Sequence, residues 1–297
     1  MILLRYINWY LKMVNDMFRI KKKAYAKINL CLNTLYKRED SYHELEMLMV
    51  NVDLFDILYF KKSDDVIVTM DKEVCKMEDN LVYKTAMYIK NKYNVNQGID
   101  IKIKKNIPDQ AGLGGGSSDA ACTILSLNKI WKLNLSENDL IDIASHIGSD
   151  VPFFLYNKLS VVKGRGEKIE VVDKDFNQNI LLLIPDTKCS TKLIYQNHVI
   201  ENHDKKVSDL VSNLDKNYYD YMFNDLEKTA SLIYPDYKLQ EIKQLLIDIG
   251  CKTAMMSGSG SAVFGIGINL NKKEIKDLRE KYSNYSIYYC KTISSCK

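Results

Sequence analysis

Four glycines fall within five positions near the middle of the chain, and two serines and an aspartate follow them. The stretch comprises residues 107–121 and reads I-P-D-Q-A-G-L-G-G-G-S-S-D-A-A. Glycine adopts positive φ angles and lets backbone N–H groups approach a ligand without an intervening Cβ. A helix that starts directly after such a loop adds unpaired N–H groups and the positive end of its dipole. The stretch therefore predicts a cradle for the phosphate groups of a small anionic ligand.

The elements on either side of this glycine loop are those that a phosphate cradle needs. Isoleucines alternate with polar residues in the preceding residues 99–104, which predicts a half-buried strand, and apolar residues recur at helical spacing in residues 120–131. A flexible linker is the less favoured alternative, because linkers do not usually lie between a regular strand and a regular helix. No lysine follows the loop, and Ser117 stands where the dinucleotide motif has glycine or alanine. The loop therefore matches neither the Walker nor the dinucleotide pattern.

Three polar residues elsewhere are candidates for chemistry. Lys27 and Asn29 point to the same side of a strand predicted within residues 24–35, so both can reach one ligand. The alternative is an ordinary exposed strand face. Asp150 follows a predicted helix and precedes the apolar run V-P-F-F-L. A carboxylate at such a junction is partly desolvated, which suits either a catalytic group or a loop-capping aspartate.

Two further features could contact a nucleotide. Tyr42 and His43 are adjacent, and such a pair can stack on a planar base and hydrogen-bond to it, although a Tyr-His pair is more often ordinary surface or core. The turn at residues 257–261, S-G-S-G-S, lies between two short predicted strands and can close over phosphates from the opposite side. A wide hairpin loop is the alternative for that turn.

Helix-capping signals give the boundaries of several helices. We predict that Asp79 caps a helix that runs through Ile89, and that Ser136 with Asp139 forms a capping box. Gly148 is predicted to end that second helix, and Gly250 a later one. Residues 197–224 are polar and predict an irregular or helical excursion.

Composition limits the class of protein. The chain has 297 residues, of which 46% are hydrophobic and 27% are charged, as expected of a globular protein. Lysine plus arginine exceeds aspartate plus glutamate by only 42 − 38 = 4, which does not indicate a nucleic-acid partner. Seven cysteines without a C-x-x-C pair predict free thiols in a reducing, cytoplasmic setting, and the histidines show no zinc-site spacing.

Membrane association and secretion are also disfavoured by the sequence. No apolar run approaches the ~20 residues of a membrane span. The first 20 residues lack a small-residue cleavage site, so we expect no secretory signal. A membrane-touching amphipathic helix there is the less favoured alternative.

In order and spacing, these motifs resemble those of the GHMP kinases. The shared motifs are A-K-I-N, P-x-x-A-G-L-G-G-G-S-S-D-A-A, G-S-D-V-P-F-F and S-G-S-G-S-A-V-F-G, over about residues 23–293. The adjacent D-S-Y-H and G-R-G-E sequences are similar to the branch whose alcohol substrate carries a cytidine diphosphate group. In that branch the alcohol is a methylerythritol. The resemblance implies ATP- and Mg²⁺-dependent phosphorylation of its 2-hydroxyl, a step in non-mevalonate isoprenoid biosynthesis.

The resemblance also implies the fold and the domain limits. The expected class is α+β, with a ribosomal-protein-S5-like N-terminal domain and a ferredoxin-like C-terminal domain. We expect an N-terminal extension over residues 1–22, the first domain over residues 23–168 and the second over residues 169–297. A monomer or weak homodimer is expected, with no nucleic-acid or membrane partner.

The resemblance assigns roles to individual residues. Lys27 and Asp150 fall on the catalytic pair, with Asp150 as the base that takes the substrate hydroxyl proton. Residues in ATP-binding positions are Asn80, Lys105, Pro108, Ala111, Gly112, Leu113, Gly114, Gly115, Gly116, Ser117 and Ser118. Residues in substrate-binding positions are Asn29, Tyr42, His43 and Tyr195. Ser117 or Ser118 would lie close to Mg²⁺, and the metal ligands themselves stay unassigned.

Two other functions are compatible with the phosphate loop. One is a different GHMP kinase, of the homoserine or mevalonate type, which Tyr42-His43 disfavours because a substrate without a base needs no stacking platform. The other is a non-catalytic nucleotide-binding regulator, which the presence of both Lys27 and Asp150 disfavours.

Overall fold

The computed structural model describes residues 20–72, 74–201 and 203–293. Of the predicted N-terminal extension, only residues 20–22 belong to this part, and they form the start of the first strand. The rest of the extension lies outside the described residues. Lys21, Lys22 and Lys23 are exposed on this strand.

Two long antiparallel strands form the centre of the molecule. Strand β1 spans Ile20–Lys37 and strand β2 spans His43–Ser63, with Ile20 opposite Phe60 and Lys37 opposite His43. Side chains in the middle of both strands are buried on both faces, because helices and further strands cover them. The remaining strands are β3 (Val66–Met70), β4 (Gly98–Lys104), β5 (Ser160–Gly164), β6 (Lys168–Val171), β7 (Asn179–Ile184), β8 (Phe223–Asn224), β9 (Thr253–Met256), β10 (Val263–Ile266) and β11 (Ser286–Ile293).

The strands of the described residues form one hydrogen-bonded sheet. Its main path runs in the order β3-β4-β2-β11-β7-β10-β9. Strand β1 pairs with β2 and β8, and β5 pairs with β2 and β6. The C-terminal strand β11 joins the two halves, because Thr292 and Ile293 pair with Val52 and Asn51 while the rest of β11 pairs with β7.

Helices cover the sheet and confirm the α+β class. They are α1 (Leu81–Lys92), α2 (Gly115–Ile130), α3 (Glu137–Ile147), α4 (Phe153–Tyr156), α5 (Thr191–Asn197), α6 (Val207–Asn213), α7 (Leu226–Ile233), α8 (Leu239–Ile249) and α9 (Lys272–Lys281). Isoleucines of β4 and apolar residues of α2 share one buried cluster. This packing fixes the strand and the helix between which the glycine loop lies.

The capping predictions are confirmed in α3 and wrong in α1. Ser136 and Asp139 form the capping box of α3, and Gly148 ends this helix. Helix α1 is capped by Asn80, whose side chain accepts hydrogen bonds from the backbone N–H groups of Val82 and Tyr83. Asp79 instead lies in the preceding 3₁₀ turn, because the helix begins one residue later than predicted.

The predicted division between residues 168 and 169 falls within strand β6. This strand begins at Lys168 and pairs with β5, which in turn pairs with β2 of the N-terminal half. The division at this position stays a prediction.

Candidate active site

The glycine loop connects β4 to α2 and is fixed by backbone hydrogen bonds. The carbonyl of Leu113 accepts a 3.0 Å hydrogen bond from the N–H of Lys27, and the carbonyl of Ala111 accepts one of 3.1 Å from Ala262. Gly114 caps α2 with a φ of 69°. The N–H groups of residues 115–117 are in the first helical turn, where an α-helix offers them no internal acceptor. They are therefore available to an anion.

A second loop, residues 257–261, packs directly against the first. The hydroxyl of Ser257 donates a 3.0 Å hydrogen bond to the carbonyl of Gly112. Asn224 donates to the carbonyl of Gly258 at 2.8 Å and so fixes this loop from the other side. A Cβ on Gly258 would lie 3.2 Å from Nζ of Lys27. The loop joins the antiparallel strands β9 and β10, with Met256 opposite Val263, so it is a wide hairpin loop that also packs against the glycine loop.

Lys27 and Asn29 are both buried on β1 and point to the same place. Nζ of Lys27 donates a 2.6 Å hydrogen bond to Oδ1 of Asn29. Their exposures of 4% and 1% rule out the alternative of an ordinary exposed strand face.

Asp150 reaches Lys27 from the turn after α3. Its Oδ2 lies 3.7 Å from Nζ of Lys27, and its side chain is 36% exposed. Among the hydrogen bonds of the described residues, the Asp150 carboxylate accepts none from a loop N–H, which disfavours the loop-capping alternative. Lys27 lies beside the glycine loop, because a Cβ on Gly114 would be 3.2 Å from Cγ of Lys27, and Phe154, which follows Asp150 in the chain, would be 2.7 Å from the same Cβ.

Burial lowers the pKa of Lys27 below its ordinary value, while the charge of Asp150 and a hydrogen bond to it act in the opposite direction. A carboxylate at this distance favours the ammonium form of a buried lysine. The pair therefore places a positive charge and an accessible proton acceptor at the end of the phosphate loop.

His43 and Tyr195 are brought together, although they are far apart in the sequence. Their ring centroids are 5.6 Å apart and the rings are tilted by 38°. Two stacked contacts would need roughly 7 Å between the rings, so a base enters between them only if one ring moves. His43 is buried, and burial followed by the charge of Lys37 lowers its pKa, which favours the neutral imidazole.

Tyr42 is 54% exposed, whereas the adjacent His43 is buried. The guanidinium of Arg165 lies over the Tyr42 ring, 5.0 Å from its centroid. Arg165 belongs to the G-R-G-E turn, and a Cβ on Gly166 in this turn would lie 2.3 Å from the carbonyl oxygen of Ser149. The turn is therefore in contact with the residue that precedes Asp150.

Asn80 and Lys105 are buried near the loop and already have partners. The Asn80 side chain caps α1. Nζ of Lys105 pairs with Asp56 and lies 2.8 Å from Oδ2 of Asp119. Their assignment to the adenine end of ATP stays a prediction, as does that of the half-buried Pro108 at the start of the loop.

The loop residues in ATP-binding positions differ in exposure. Ala111, Leu113 and Ser118 are buried, Gly112, Gly114, Gly115 and Ser117 are half-buried, and Gly116 is exposed. The described residues contain no cluster of three or more His, Cys, Asp or Glu side chains that could hold a metal by themselves. Mg²⁺ in kinases is usually held by few protein oxygens together with the phosphates, and the half-buried Ser117 at the helix start and the partly exposed Asp150 fit this type of donor set.

Several residues of this region have no motif that would reveal them. Asn224 ends the polar segment 197–224, for which the sequence predicted an irregular or helical excursion and no role, and Asp225 follows it. Asn224 holds the second loop, and Oδ2 of Asp225 accepts a 2.7 Å hydrogen bond from the N–H of Thr34. Asp119 was visible only as the residue after the two loop serines. Long-range pairing of this kind has no signal in one sequence.

No helix within the described ranges is long and apolar enough to cross a membrane.

Comparison with known proteins gives a consistent family. Residues 80–158 match the family described as "GHMP kinases N terminal domain", and residues 200–285 match "GHMP kinases C terminal". The chain is 42% identical, over 286 residues that cover 93% of it and 97% of the relative, to a 4-diphosphocytidyl-2-C-methyl-D-erythritol kinase of Thermoanaerobacter pseudethanolicus.

Solved structures agree with this result. A crystal structure of 4-(cytidine 5'-diphospho)-2C-methyl-D-erythritol kinase is 28% identical, has a TM-score of 0.78 and is matched over 92% of this chain and 99% of its own. A homoserine kinase from Cytophaga hutchinsonii is 17% identical with a TM-score of 0.71, over 93% and 95% of the two chains, which is a likeness of fold alone. The predicted two-domain GHMP kinase fold is thus confirmed, and the chain belongs to the GHMP kinases, in the family of 4-diphosphocytidyl-2-C-methyl-D-erythritol kinases.

Proposed function

We propose that this protein transfers the γ-phosphoryl group of ATP to the 2-hydroxyl of 4-diphosphocytidyl-2-C-methyl-D-erythritol, a step in non-mevalonate isoprenoid biosynthesis. The observation that carries the proposal is the approach of Lys27 to Asp150 at 3.7 Å beside the glycine loop. Phosphoryl transfer asks the protein mainly for in-line positioning and for neutralisation of charge. These residues supply both.

In this mechanism Asp150 accepts the proton of the substrate hydroxyl as its oxygen attacks the γ-phosphorus. The bond from that phosphorus to the β–γ bridging oxygen breaks, and ADP leaves with the electron pair of this bond. Lys27 orients the Asp150 carboxylate and lies near the developing charge, and its hydrogen bond to Asn29 fixes its position. Asn29 is proposed to bind the methylerythritol hydroxyls.

The glycine loop is proposed to bind the triphosphate through the free N–H groups at the start of α2. Gly112 and Gly114 have φ angles of 71° and 69°, which turn the backbone toward this helix start. Mg²⁺, when bound with the nucleotide, neutralises phosphate charge. Ser117 or Ser118 would contribute a hydroxyl oxygen to it.

The cytidine end is proposed to lie at His43, Tyr195 and Tyr42. Neutral imidazole carries one donor and one acceptor and so can pair with the edge of a cytosine ring. The two tyrosines offer aromatic faces for stacking. Arg165, above Tyr42, adds a positive charge on this side.

We also propose a cytoplasmic location, a monomer or weak homodimer, and no nucleic-acid or membrane partner. The free thiols expected in a reducing compartment support the location, since all six cysteines within the described ranges are free.

One assay tests the proposed function. The purified protein is incubated with ATP, Mg²⁺ and, in separate reactions, a panel of cytidine-diphosphate alcohols, homoserine and mevalonate, and ADP release is measured. We expect ADP only with the cytidine-diphosphate alcohols, and most rapidly with the methylerythritol compound. Release with homoserine or mevalonate alone would assign another activity. ATP binding without turnover of any alcohol would indicate a regulator.

A further inference from the structure

His198 joins the segment that carries Tyr195 to two distant parts of the chain. Its Nε2 lies 2.7 Å from the hydroxyl of Thr34 in β1, and its Nδ1 lies 3.0 Å from the hydroxyl of Thr229 in α7. Both ring nitrogens are therefore used. His198 follows α5 directly and is the C-terminal cap of this helix.

The same imidazole also contacts His43. The two ring centroids are 5.7 Å apart in an edge-to-face arrangement with an interplanar angle of 64°. Tyr195 lies one helical turn before His198 and also contacts His43, with the two ring centroids 5.6 Å apart. His43 thus has two aromatic neighbours, and both come from the segment that includes α5.

Helix α5 is short and is held by Ile194, by the bond from the Ser190 N–H to the Tyr234 hydroxyl and by contacts at its two ends. It has seven residues, of which only Ile194 is buried, and a helix this short is not stable by itself in water. At its start, the hydroxyl of Thr191 lies 2.7 Å from that of Ser259 in the second loop. At its end, His198 makes the connections. The position of Tyr195 relative to His43 therefore depends on these end contacts.

The hydrogen bonds of the Thr34 hydroxyl place a proton on Nε2 of His198. The Thr34 hydroxyl donates to Oδ2 of Asp225 at 3.0 Å, so its oxygen accepts from an Nε2–H of His198. In the neutral ring, which the lowered pKa of His198 favours, Nδ1 accepts from the Thr229 hydroxyl. Burial and the neighbouring His43 lower the pKa of His198, while Asp225 and Glu201 oppose this shift. The neutral tautomer is consistent with both sets of contacts.

We propose that His198 is a positioning residue that holds Tyr195 against His43 and thereby sets the affinity for the cytosine end of the substrate. This inference rests on the proposed function, because His43 and Tyr195 are assigned there to the base. It predicts that His198 acts on one substrate and not on ATP.

Two isosteric variants test which ring nitrogen matters. The amide of His198→Gln reaches the position of Nε2 and can donate to Thr34, whereas that of His198→Asn reaches only the position of Nδ1. We expect His198→Asn and His198→Ala to raise the KM for the cytidine-diphosphate alcohol about tenfold, the effect of one lost buried hydrogen bond. His198→Gln should stay within about threefold of the original protein on the same scale. The kcat and the KM for ATP should change by less than about twofold in all three.

His203→Asn is the matched control, because His203 bonds to the other oxygen of the same carboxylate, Oδ1 of Asp225, at 2.9 Å. It should leave the KM of both substrates unchanged. Equal changes in kcat and in both KM values for His198→Asn would mean a general structural effect and would overturn the proposal. An unchanged KM in His198→Ala would do the same. If these variants fail to fold, Thr34→Val removes the partner of Nε2 and keeps the ring, and an unchanged KM there overturns the proposal.

CDP binding to the free protein, measured by calorimetry, separates this inference from the proposed function. A protein that binds CDP, loses affinity in His198→Asn and does not phosphorylate the alcohol would retain the inference and contradict the function. A protein that phosphorylates the alcohol while His198→Asn binds CDP as tightly as the original would retain the function and contradict the inference. A protein that binds no CDP contradicts the inference directly.

Discussion

Nζ of Lys27 lies 3.7 Å from Oδ2 of Asp150, although one residue belongs to the first strand and the other to the turn after α3. The lysine is buried and the aspartate is partly exposed. A partly exposed carboxylate is thereby held beside a buried ammonium group. This relationship leads to the first two predictions.

Asp150→Asn should lower kcat by about 10³-fold or more, because general-base catalysis typically contributes about 10²–10⁴-fold. The affinity for ATP should change little, since the glycine loop is not altered. Steady-state kinetics and calorimetric ATP binding measure the two effects. The exposed Asp142 on α3 offers a matched control, Asp142→Asn, which should have normal activity. Normal turnover in the Asp150 variant would mean that another group is the base.

The activity should fall at alkaline pH as Lys27 loses its proton. Burial lowers the pKa of Lys27 below its ordinary value of 10.5. In the proposed mechanism, the ammonium form is the one that stabilises the transferring group. Because the protonated form is active, activity is present below the folded-state pKa and is lost as pH rises through it. The kcat/KM profile should therefore decline at a pH below 10.5. A profile that stays level up to that pH, with the protein still folded, would contradict this role of Lys27.

His43→Ala should raise the KM for the cytidine-diphosphate alcohol by about tenfold or more, and the KM for ATP by less than about twofold. The reason is that His43 would pair with the base of one substrate only. His146→Ala is a suitable control, because His146 stacks on Tyr88 at 4.3 Å, in the packing of α3 against α1. Equal effects of His43→Ala on both substrates would refute the assignment to cytosine.

Two glycines of the loop should respond differently to alanine. A Cβ at Gly112 would lie 2.0 Å from the carbonyl oxygen of Ser257, and its φ is 71°. Gly112→Ala should therefore destabilise the protein by about 2 kcal/mol or more through strain. A Cβ at Gly116 meets nothing closer than 3.7 Å. Gly116 is within the first turn of α2, so Gly116→Ala should not lower the free energy of unfolding. An increase of up to about 0.4–1 kcal/mol is expected.

The same pair separates stability from binding. Gly116 is exposed at the proposed phosphate site, so its substitution should raise the KM for ATP while the denaturation midpoint is maintained. Urea unfolding and ATP kinetics measure these effects. A normal KM for ATP in Gly116→Ala would place the triphosphate elsewhere.

Asp119 should make stability depend on pH. Burial raises its pKa to about 7, with Lys105 opposing and the like charge of Asp56 adding to the shift. Burial alone would lower the pKa of Lys105, but Asp119 and Asp56 raise it, so a single ammonium group pairs with both carboxyl groups. Asp56 accepts backbone hydrogen bonds from Asn106 and Ile107, while Oδ1 of Asp119 has no partner among the described residues. The extra proton therefore belongs on Asp119.

The sign follows from this proton. Between pH 3.8 and about pH 7, Asp119 keeps its proton in the folded state and loses it in the unfolded state. The contribution of Asp119 to the free energy of unfolding therefore falls as pH rises through that window. Asp119→Asn resembles the protonated acid at every pH and therefore avoids the loss of stability that Asp119 causes at higher pH. Its stability relative to the original protein should increase by about 1–3 kcal/mol between pH 5 and pH 8.5 in urea unfolding. Asp56→Asn is the contrasting variant and should be destabilised throughout. A pH-independent difference for Asp119→Asn would show that Asp119 stays charged.

The sequence by itself determined the local parts of this protein. Glycine spacing, the strand before it and the helix after it define the phosphate loop, because φ preferences and periodicity act within a few residues. The Ser136 capping box is local in the same way. The prediction for Asp79 failed because two neighbouring residues, Asp79 and Asn80, are both good caps and only the packing of α1 selects between them.

Tertiary structure decided which of the local parts meet. Nothing in the sequence near Tyr195 states that its ring contacts His43, or that His198 connects β1 to α7. The burial of Lys27 and Asn29 was equally open, since an alternating strand can face solvent or another layer. These outcomes depend on long-range pairing, in which β11 joins the two halves of the sheet and the second loop closes on the first. Contacts of this kind arise from the packing of the whole chain, so a local pattern does not encode them.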